Sequence, residues 1–209
     1  MECLEPIDEP RCERCGKPFI YEGGESHICG ECRLKKRHFD FAFSPYAYTG
    51  PAAAVVWSLK YNRNLSSAST IARLIRDRVL NEKIDLAPFR IIAPIPLHYS
   101  RMASRGFNQS ALIALELANL LGLTYVPDLL QRVRATPTQV SLPRNLREEN
   151  VKNAFAVAFP KKADGKSIII VDDVYTTGAT INEASRILKK AGADKILALT
   201  AARALLEYE

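Results

Sequence analysis

The stretch Ile168–Thr180, IIIVDDVYTTGAT, is the most informative part of this sequence. It opens with residues typical of a buried strand, continues with two adjacent aspartates and ends in threonine and glycine. This order predicts a strand, a tight loop and a helix that begins near Gly178. The backbone N–H groups of such a loop curl around one point, which the positive end of the helix dipole also faces. The stretch therefore predicts an anion-binding loop that suits a phosphate.

Two acids, Asp172 and Asp173, come directly before this loop, at the expected end of the strand. Ionised carboxylates only accept hydrogen bonds, so a neighbouring pair suits two vicinal sugar hydroxyls. A diol at the acids and a phosphate in the loop indicate a ribose 5-phosphate as the ligand. The alternative is a strand end with an Asx turn and a helix N-cap, without any ligand. No Walker pattern occurs in the chain.

Apolar strand-like segments alternate with helical segments along the rest of the chain. FRIIAPIP (residues 89–96), KSIIIVDD (166–173) and KILALTAA (195–202) are predicted strands, and FDFAFSPYAYTG (39–50) is a predicted strand or hairpin. This alternation predicts an α/β protein with a doubly wound, mostly parallel sheet. Ligands of such sheets bind beyond the C-terminal ends of the strands, where we expect the two acids.

Two C-x-x-C pairs lie near the N-terminus, with thirteen residues between Cys15 and Cys29. Each pair is typical of a tight turn that directs two thiolates at one point. Cys12, Cys15, Cys29 and Cys32 are therefore the predicted ligands of a tetrahedral structural Zn2+ site. A module of about forty residues has little core, so the metal would supply much of its folding free energy. Disulfides, a redox pair and a vestigial site are the alternatives.

We expect this zinc module to span residues 1–38 and the α/β domain to span residues 39–209. His27 is an alternative metal ligand, and Cys3 is expected to be a free thiol. The module ends in the basic run RLKKRH (residues 33–38), which is either a solvated surface or a contact for nucleic acid.

The chain as a whole is mildly basic, with 29 Lys and Arg against 23 Asp and Glu and a net charge of +6. This balance suits an anionic ligand, either a small phosphate or a nucleic acid. The sequence shows neither a signal peptide nor an apolar segment long enough to insert into a membrane. We therefore expect a cytoplasmic location and reduced thiols.

The segment VDDVYTTGAT (residues 171–180) closely resembles the phosphoribosyl pyrophosphate (PRPP) signature of type I phosphoribosyltransferases. Residues 93–118, residues 134–155 and the four-cysteine module extend the match from Cys12 to about Ala202. Together they resemble the ComF family, the competence-protein-F-like phosphoribosyltransferase homologues of bacteria. The resemblance implies the type I phosphoribosyltransferase fold, PRPP as the ligand, structural Zn2+ and Mg2+ bound together with PRPP.

The resemblance also implies roles for single residues. Asp172 and Asp173 would be the catalytic acids and would hold the ribose 2′ and 3′ hydroxyls. The loop around the 5-phosphate would consist of Tyr175, Thr176, Thr177, Gly178, Ala179 and Thr180. Pro96, Leu97 and His98 occupy the place of the pyrophosphate loop. Lys60 is where the family carries a similar lysine, and we expect it to contact a phosphate.

Arginines are the expected contacts of the pyrophosphate. Arg101 and Arg105 have no acid between them and suit a bidentate clamp. Residues 132–147 also lack acids and contain Arg132, Arg134, Arg144 and Arg147. A basic segment of this length suits a lid that closes over pyrophosphate and excludes water. The alternative to the clamp is that Arg101 and Arg105 are only solvated, and the alternative to the lid is that residues 132–147 form a merely flexible loop.

The expected function is transfer of phosphoribosyl from Mg2+–PRPP to a nitrogen acceptor that the sequence does not identify. The alternative is a non-catalytic, PRPP-responsive protein that handles single-stranded DNA in natural transformation together with competence proteins. Against this alternative, the sequence shows no basic stripe interleaved with aromatic residues.

The chain departs from the family after Lys60, where NRNLSSAS replaces a glycine-containing acidic turn, and at Asn153, where glycine is common.

Overall fold

The computed structural model describes residues 3–19, 24–62, 64–136 and 146–205, which form alternating strands and helices. The strands are β1 (Phe41–Phe43), β2 (Tyr46–Ala47), β3 (Phe89–Pro94), β4 (Thr124–Tyr125), β5 (Leu130–Arg132), β6 (Phe155–Val157), β7 (Ser167–Tyr175) and β8 (Ile196–Arg203). The helices are α1 (Gly30–Leu34), α2 (Gly50–Tyr61), α3 (Ser66–Asn81), α4 (Tyr99–Arg105), α5 (Gln109–Leu121), α6 (Arg147–Val151), α7 (Pro160–Ala163) and α8 (Ala179–Lys190). None of these helices is long and apolar enough to cross a membrane.

A parallel sheet forms the centre of the described structure. Its strand order is β1–β8–β7–β3–β4, and β2 also pairs with β8. Every pairing in this sheet is parallel, whereas β5 and β6 form a separate antiparallel pair. Parallel neighbours require crossover connections, and α3, α5 and α8 supply the long ones.

Both faces of the sheet are covered. Along β7, Ile169 and Val171 join the core cluster formed with α2, α3 and α5. Ile168 and Ile170 join the opposite cluster, which includes α8, β5, β6 and the described part of residues 12–38, which contains the four cysteines and is called the cysteine segment below. Successive side chains of a strand point to opposite faces, so a strand buried on both sides is apolar at each position. The prediction of an α/β fold with a doubly wound, mostly parallel sheet is confirmed.

Two local predictions are corrected. For residues 39–50 the strand alternative is correct and the hairpin alternative is wrong, because β1 and β2 both run parallel to β8. The chain continues in the same direction past Ser44, whose hydroxyl lies 2.6 Å from that of Thr200. The predicted strand end at the acids is also wrong. β7 continues to Tyr175, because Asp172 still pairs with Thr200, and Val174 pairs with Ala202.

The cysteine segment packs directly on the sheet. Cys12, Cys15 and Cys29 are buried in the same cluster as Phe39 and Tyr175. The backbone N–H of Ala42 in β1 donates to the Arg14 carbonyl at 2.9 Å. Since residues on both sides share one core, the predicted module boundary after residue 38 stays a prediction.

Candidate functional site

A cleft of about 400 Å³ lies where β3 and β7 end and where α5 and α8 begin. It brings together most of the predicted site residues. Those that line it are Lys60, Pro96, Leu97, Arg101, Arg105, Asp172, Asp173, Tyr175, Thr176, Gly178, Ala179 and Thr180. Arg132 and Arg147, from the two ends of the predicted lid, line it as well. So do residues that had no predicted role, among them Tyr48, Tyr61, Gln109 and Ser110.

Each of the two acids is held through one of its oxygens. Oδ2 of Asp173 lies 2.8 Å from Nζ of Lys60 and accepts a hydrogen bond of 2.8 Å from Nε2 of Gln109. Oδ1 of Asp172 accepts from the Ser110 hydroxyl at 3.0 Å and from the Asp173 N–H at 3.0 Å. Among the described residues, Oδ2 of Asp172 and Oδ1 of Asp173 accept no hydrogen bond. Each carboxylate therefore keeps one oxygen for a ligand hydroxyl.

The pKa values of Asp172 and Lys60 are both raised by their surroundings. Burial, reinforced by the charge of Asp173, raises the pKa of Asp172 to about 7, against the opposing effects of Lys60 and Ser110. Burial alone would lower the pKa of Lys60, but the charge and hydrogen bond of Asp173 outweigh it and raise the pKa. Lys60 therefore stays protonated at neutral pH, whereas Asp172 changes its charge there.

The first turn of α5 supports the acids. Asn108 caps this helix by accepting a hydrogen bond from the Ser110 N–H at 3.0 Å, and its amide donates to the Ile95 carbonyl at 3.0 Å. The cap places Gln109 and Ser110 against the acids, at the positive end of the helix. Sequence reasoning missed both residues, although the asparagine cap in RGFNQSA marks the helix start.

The predicted phosphate loop joins β7 to α8. Gly178 has a φ of +76° and precedes the first residue of α8. A Cβ on Gly178 would lie 2.1 Å from the Tyr175 hydroxyl oxygen, so glycine is required by both conformation and space. Thr176 and Thr180 line the cleft, whereas Thr177 is buried and its hydroxyl accepts from the Ala179 N–H at 3.4 Å.

Four arginines, Arg101, Arg105, Arg132 and Arg147, line the same cleft. Arg101 donates to the Thr136 carbonyl at 2.8 Å, and Arg132 donates to the Thr136 hydroxyl. Burial, and then the charge of a neighbouring guanidinium, lowers the pKa of both Arg101 and Arg132. Among the described residues that line the cleft, only two are acids. The mutual repulsion of the arginines therefore suits a ligand that carries several negative charges.

Besides Thr177, three predicted site residues are not among those that line the cleft. His98 is buried and caps α4, where its ring accepts from the Ser100 N–H at 3.4 Å. Arg134 is exposed and donates to the carbonyls of Asn150 at 2.9 Å and Lys152 at 2.6 Å. Arg144, with most of the predicted lid, lies outside the described residues.

The exposed aromatic side chain of Tyr61 lines the cleft, and that of Trp57 packs beside it. Trp57 and Tyr61 lie one turn apart on α2 with 5.4 Å between ring centroids, and both are more than half exposed. The guanidinium carbon of Arg105 lies 5.8 Å from the Tyr61 ring centroid. The i, i+4 spacing in WSLKY is visible in the sequence, but only the fold brings Arg105 beside it.

The four cysteine sulfurs form one cluster, with all Sγ atoms within 4.8 Å of one another. The Sγ atoms of Cys15 and Cys29 are 3.9 Å apart. Two sulfurs of a tetrahedral site with Zn–S bonds of about 2.3 Å would be separated by about 3.8 Å. Sγ of Cys12 accepts from the N–H groups of Cys15 at 3.5 Å and Cys29 at 3.3 Å. Distances and donor type therefore fit a metal ion such as Zn2+.

The two other residues considered for this module lie outside the sulfur cluster. The His27 ring stacks on Phe19 with 4.1 Å between centroids, and its Nδ1 lies 3.0 Å from the Glu25 carbonyl oxygen. Cys3 is exposed and forms no disulfide with any cysteine of the described residues.

Comparison with known proteins identifies a family model and several relatives that resemble this chain. The phosphoribosyl transferase domain model matches residues 108–206. The DNA utilization protein YhgH of Salmonella typhi is 38% identical over 185 residues, which cover 87% of this chain and 79% of that protein. Competence protein F of Haemophilus influenzae is 32% identical over 200 residues, which cover 93% and 85%.

Among solved structures, the glutamine PRPP amidotransferase from B. subtilis, complexed with ADP and GMP, gives a TM-score of 0.44 at 17% identity and covers 66% of this chain and 26% of that one. The curated relatives match nearly the whole chain, and matches of this length include the strand, loop and helix around Asp172. The chain therefore belongs to the ComF family of phosphoribosyltransferase-like proteins.

Proposed function

We propose that this protein binds PRPP in the cleft and transfers its phosphoribosyl group to a nitrogen nucleophile. One observation carries the proposal: Asp172 and Asp173, each with an oxygen that accepts no hydrogen bond from a described residue, lie in one cleft with the predicted phosphate loop and four arginines. The acids would accept the ribose 2′ and 3′ hydroxyls. Residues 175–180 would hold the 5-phosphate through backbone N–H groups and hydroxyls.

The pyrophosphate would lie on the arginine side of the cleft. Arg101 and Arg105 offer planar, bidentate donors, and the segment at Pro96 and Leu97 borders the same space. The bond from the anomeric carbon to pyrophosphate breaks as the acceptor nitrogen attacks, and pyrophosphate leaves with the bonding electron pair. The acids would stabilise the positive charge that develops on the ribose, and the arginines would stabilise the departing anion.

Magnesium belongs to this proposal because PRPP carries more charge than the arginines can neutralise. Pyrophosphate and ribose oxygens would supply most of its ligands and water the rest, with few ligands from the protein, since the open oxygens of Asp172 and Asp173 would accept the ribose hydroxyls. Bound there, Mg2+ would neutralise charge on the pyrophosphate.

Calorimetric titration of zinc-loaded protein with PRPP, with and without Mg2+, tests the site. We expect Mg2+-dependent binding that is weakened at least about tenfold in an Asp172→Asn/Asp173→Asn double variant. Asp85→Asn is a matched control, since Asp85 is an exposed turn residue that accepts from the Ala87 N–H at 2.9 Å. Undiminished PRPP affinity in the double variant would contradict the ribose assignment, and release of pyrophosphate with candidate amines would test transfer separately.

The exposed pair Trp57–Tyr61 favours a second candidate function, binding of single-stranded DNA beside the cleft. Aromatic side chains stack on bases, and the adjacent arginines would contact phosphates. The names of the relatives, DNA utilization protein and competence protein F, make DNA handling alongside competence proteins a proposal worth testing.

Fluorescence anisotropy with a labelled single-stranded oligonucleotide at several salt concentrations tests this second candidate function by measuring DNA affinity. Binding through several phosphates should weaken steeply as salt rises, and Trp57→Ala/Tyr61→Ala should reduce it at every salt concentration. Phe159→Ala, at an equally exposed aromatic next to Lys162, is the control. Equal DNA affinities for both variants would exclude the stacking surface.

A further inference from the structure

The cysteine cluster and the phosphate loop share a buried side chain, Arg203, at the end of β8. Its Nη1 donates to the Cys15 carbonyl at 2.7 Å, and its Nη2 lies 3.8 Å from the Cys15 sulfur. Its guanidinium carbon also lies 4.2 Å from the centroid of the Tyr175 ring. Arg203 is only 6% exposed, so these contacts are shielded from water. One cation thus joins a cysteine of the cluster to the residue that opens the phosphate loop.

Tyr175 lies directly beneath the loop. Its side chain is 1% exposed, and its hydroxyl oxygen occupies the space that a Cβ on Gly178 would need, at 2.1 Å. Phe39, just after the cysteine segment, contacts the Tyr175 ring edge-on with 6.4 Å between centroids. The hydroxyl has no hydrogen-bond partner among the described residues. Packing against Arg203, Phe39 and Gly178 therefore sets the position of this ring.

A second connection runs from the end of the cysteine segment to α8. The His38 N–H donates to Oδ1 of Asn182 at 2.7 Å, and the Asn182 amide donates to the Lys36 carbonyl at 3.3 Å. The Asn182 backbone N–H donates to the Gly178 carbonyl at 2.8 Å. The cysteine segment thus contacts the loop from below through Tyr175 and from the helix side through Asn182.

We propose that metal bound by the four cysteines positions the phosphate loop through Arg203 and Tyr175, so that metal loading and anion binding reinforce each other. Without the metal, four clustered thiols lose the bonds that hold the Cys15 turn in place. Arg203 then loses a fixed acceptor, and the Tyr175 ring loses the cation that packs on it. Coupling between two binding sites is reciprocal, so a ligand in the loop should also tighten metal binding. The second half of this proposal rests on the proposed PRPP site.

Hydrogen–deuterium exchange of the full chain tests the link without any ligand. In zinc-loaded protein we expect slow exchange in the peptide that covers residues 175–182. Removal of zinc by a chelator should accelerate it, while the amides of α5 and β3 stay protected. Arg203→Lys should accelerate the same peptide with zinc bound, because lysine cannot reach the Cys15 carbonyl and cover the Tyr175 ring together.

Arg90→Lys is the matched control. Arg90 also donates to backbone carbonyls, those of Ala87 at 3.0 Å and Phe89 at 3.2 Å, but it lies at the opposite end of β3 from the cleft. This variant should leave exchange in residues 175–182 unchanged. Unaltered exchange of this peptide after zinc removal and in Arg203→Lys would overturn the proposal. Loss of protection throughout α5 and β3 would also overturn it, because the metal would then serve overall folding.

Affinity measurements test reciprocity. PRPP affinity should fall on the order of tenfold in metal-free protein and in Arg203→Lys, and zinc affinity, measured by competition with a chromophoric chelator, should rise by the same factor with PRPP. If PRPP binds equally well with and without zinc, the coupling fails while the PRPP site stands. If zinc-loaded protein does not bind PRPP at all, the proposed function fails, and the exchange experiment still decides whether the metal positions the loop.

Discussion

The adjacent aspartates are tolerated because other groups hold them from two directions. Lys60 and Gln109 contact Asp173, and Ser110 contacts Asp172. None of these contacts uses the second oxygen of either acid, so support and ligand binding do not compete. Burial of Asp172, and then the charge of Asp173, raises the pKa of Asp172.

The raised pKa of Asp172 predicts how stability depends on pH. The folded protein holds the Asp172 proton up to a pKa of about 7, whereas an unfolded aspartate releases it near pH 4. This residue therefore lowers the free energy of unfolding as pH rises from about 4 to 7. Asp172→Asn removes the effect, so its stability relative to wild type should increase by roughly 1 kcal/mol between pH 6 and 8.

Urea unfolding of both proteins at several pH values in this range checks this prediction. Release of zinc at the lower pH affects wild type and variant alike and cancels in the comparison. A stability difference that does not change with pH, or that shrinks towards pH 8, would contradict the assigned pKa.

The ion pair of Lys60 with Asp173 should contribute far more to the free energy of unfolding than an exposed ion pair. Their side chains are only 18% and 8% exposed, so Lys60→Met leaves a largely buried carboxylate with Gln109 alone. We expect a loss of about 2 to 4 kcal/mol in unfolding free energy. Lys35→Met is the control, because the Lys35–Glu148 pair is about half exposed and should contribute less than about 1 kcal/mol. Chemical denaturation at pH 7.5 measures both, and equal losses would contradict the prediction.

At the scale of single elements, the β7–α8 connection depends on a glycine for two separate reasons. Gly178→Ala adds left-handed backbone strain and a clash with Tyr175, and we expect it to cost about 3 kcal/mol. Gly106→Ala separates the two effects, since Gly106 has a φ of +84° but a Cβ added to it would meet no atom within 4 Å. It should cost only about 1 kcal/mol.

Thermal and chemical denaturation of both glycine variants measure how far each substitution lowers the free energy of unfolding. A crystal structure of Gly178→Ala should show either the Tyr175 ring or the loop displaced. Similar costs for the two variants would mean that the contact between Gly178 and Tyr175 does not constrain the loop.

At the scale of the whole molecule, the cysteine segment behaves as part of the core. Its contacts with Ala42, Phe39 and Arg203 place it over the sheet, so a chain of residues 39–209 alone would expose buried apolar surface. We expect this truncated chain to lose about 4 kcal/mol and to melt roughly 10 °C below the zinc-loaded full chain. Differential scanning calorimetry checks this, and melting temperatures within about 2 °C of each other would indicate an independent module.

Local features of this protein can be predicted from its sequence. The strand, loop and helix of residues 168–180 follow from β-branched residues, a threonine–glycine turn and helical periodicity over adjacent positions. The cysteine spacing likewise predicts a four-sulfur cluster, and the structure brings those sulfurs together. Such features are readable because neighbouring residues specify them.

The distant groups that complete these features become visible in the fold. Gln109 lies 64 residues from Asp173, and Arg203 lies 188 residues from Cys15. Two predicted contacts, His98 and Arg134, instead stabilise α4 and the region of α6. These outcomes depend on the register of parallel strands and on helix packing, which join residues far apart in the chain, and no local pattern specifies them.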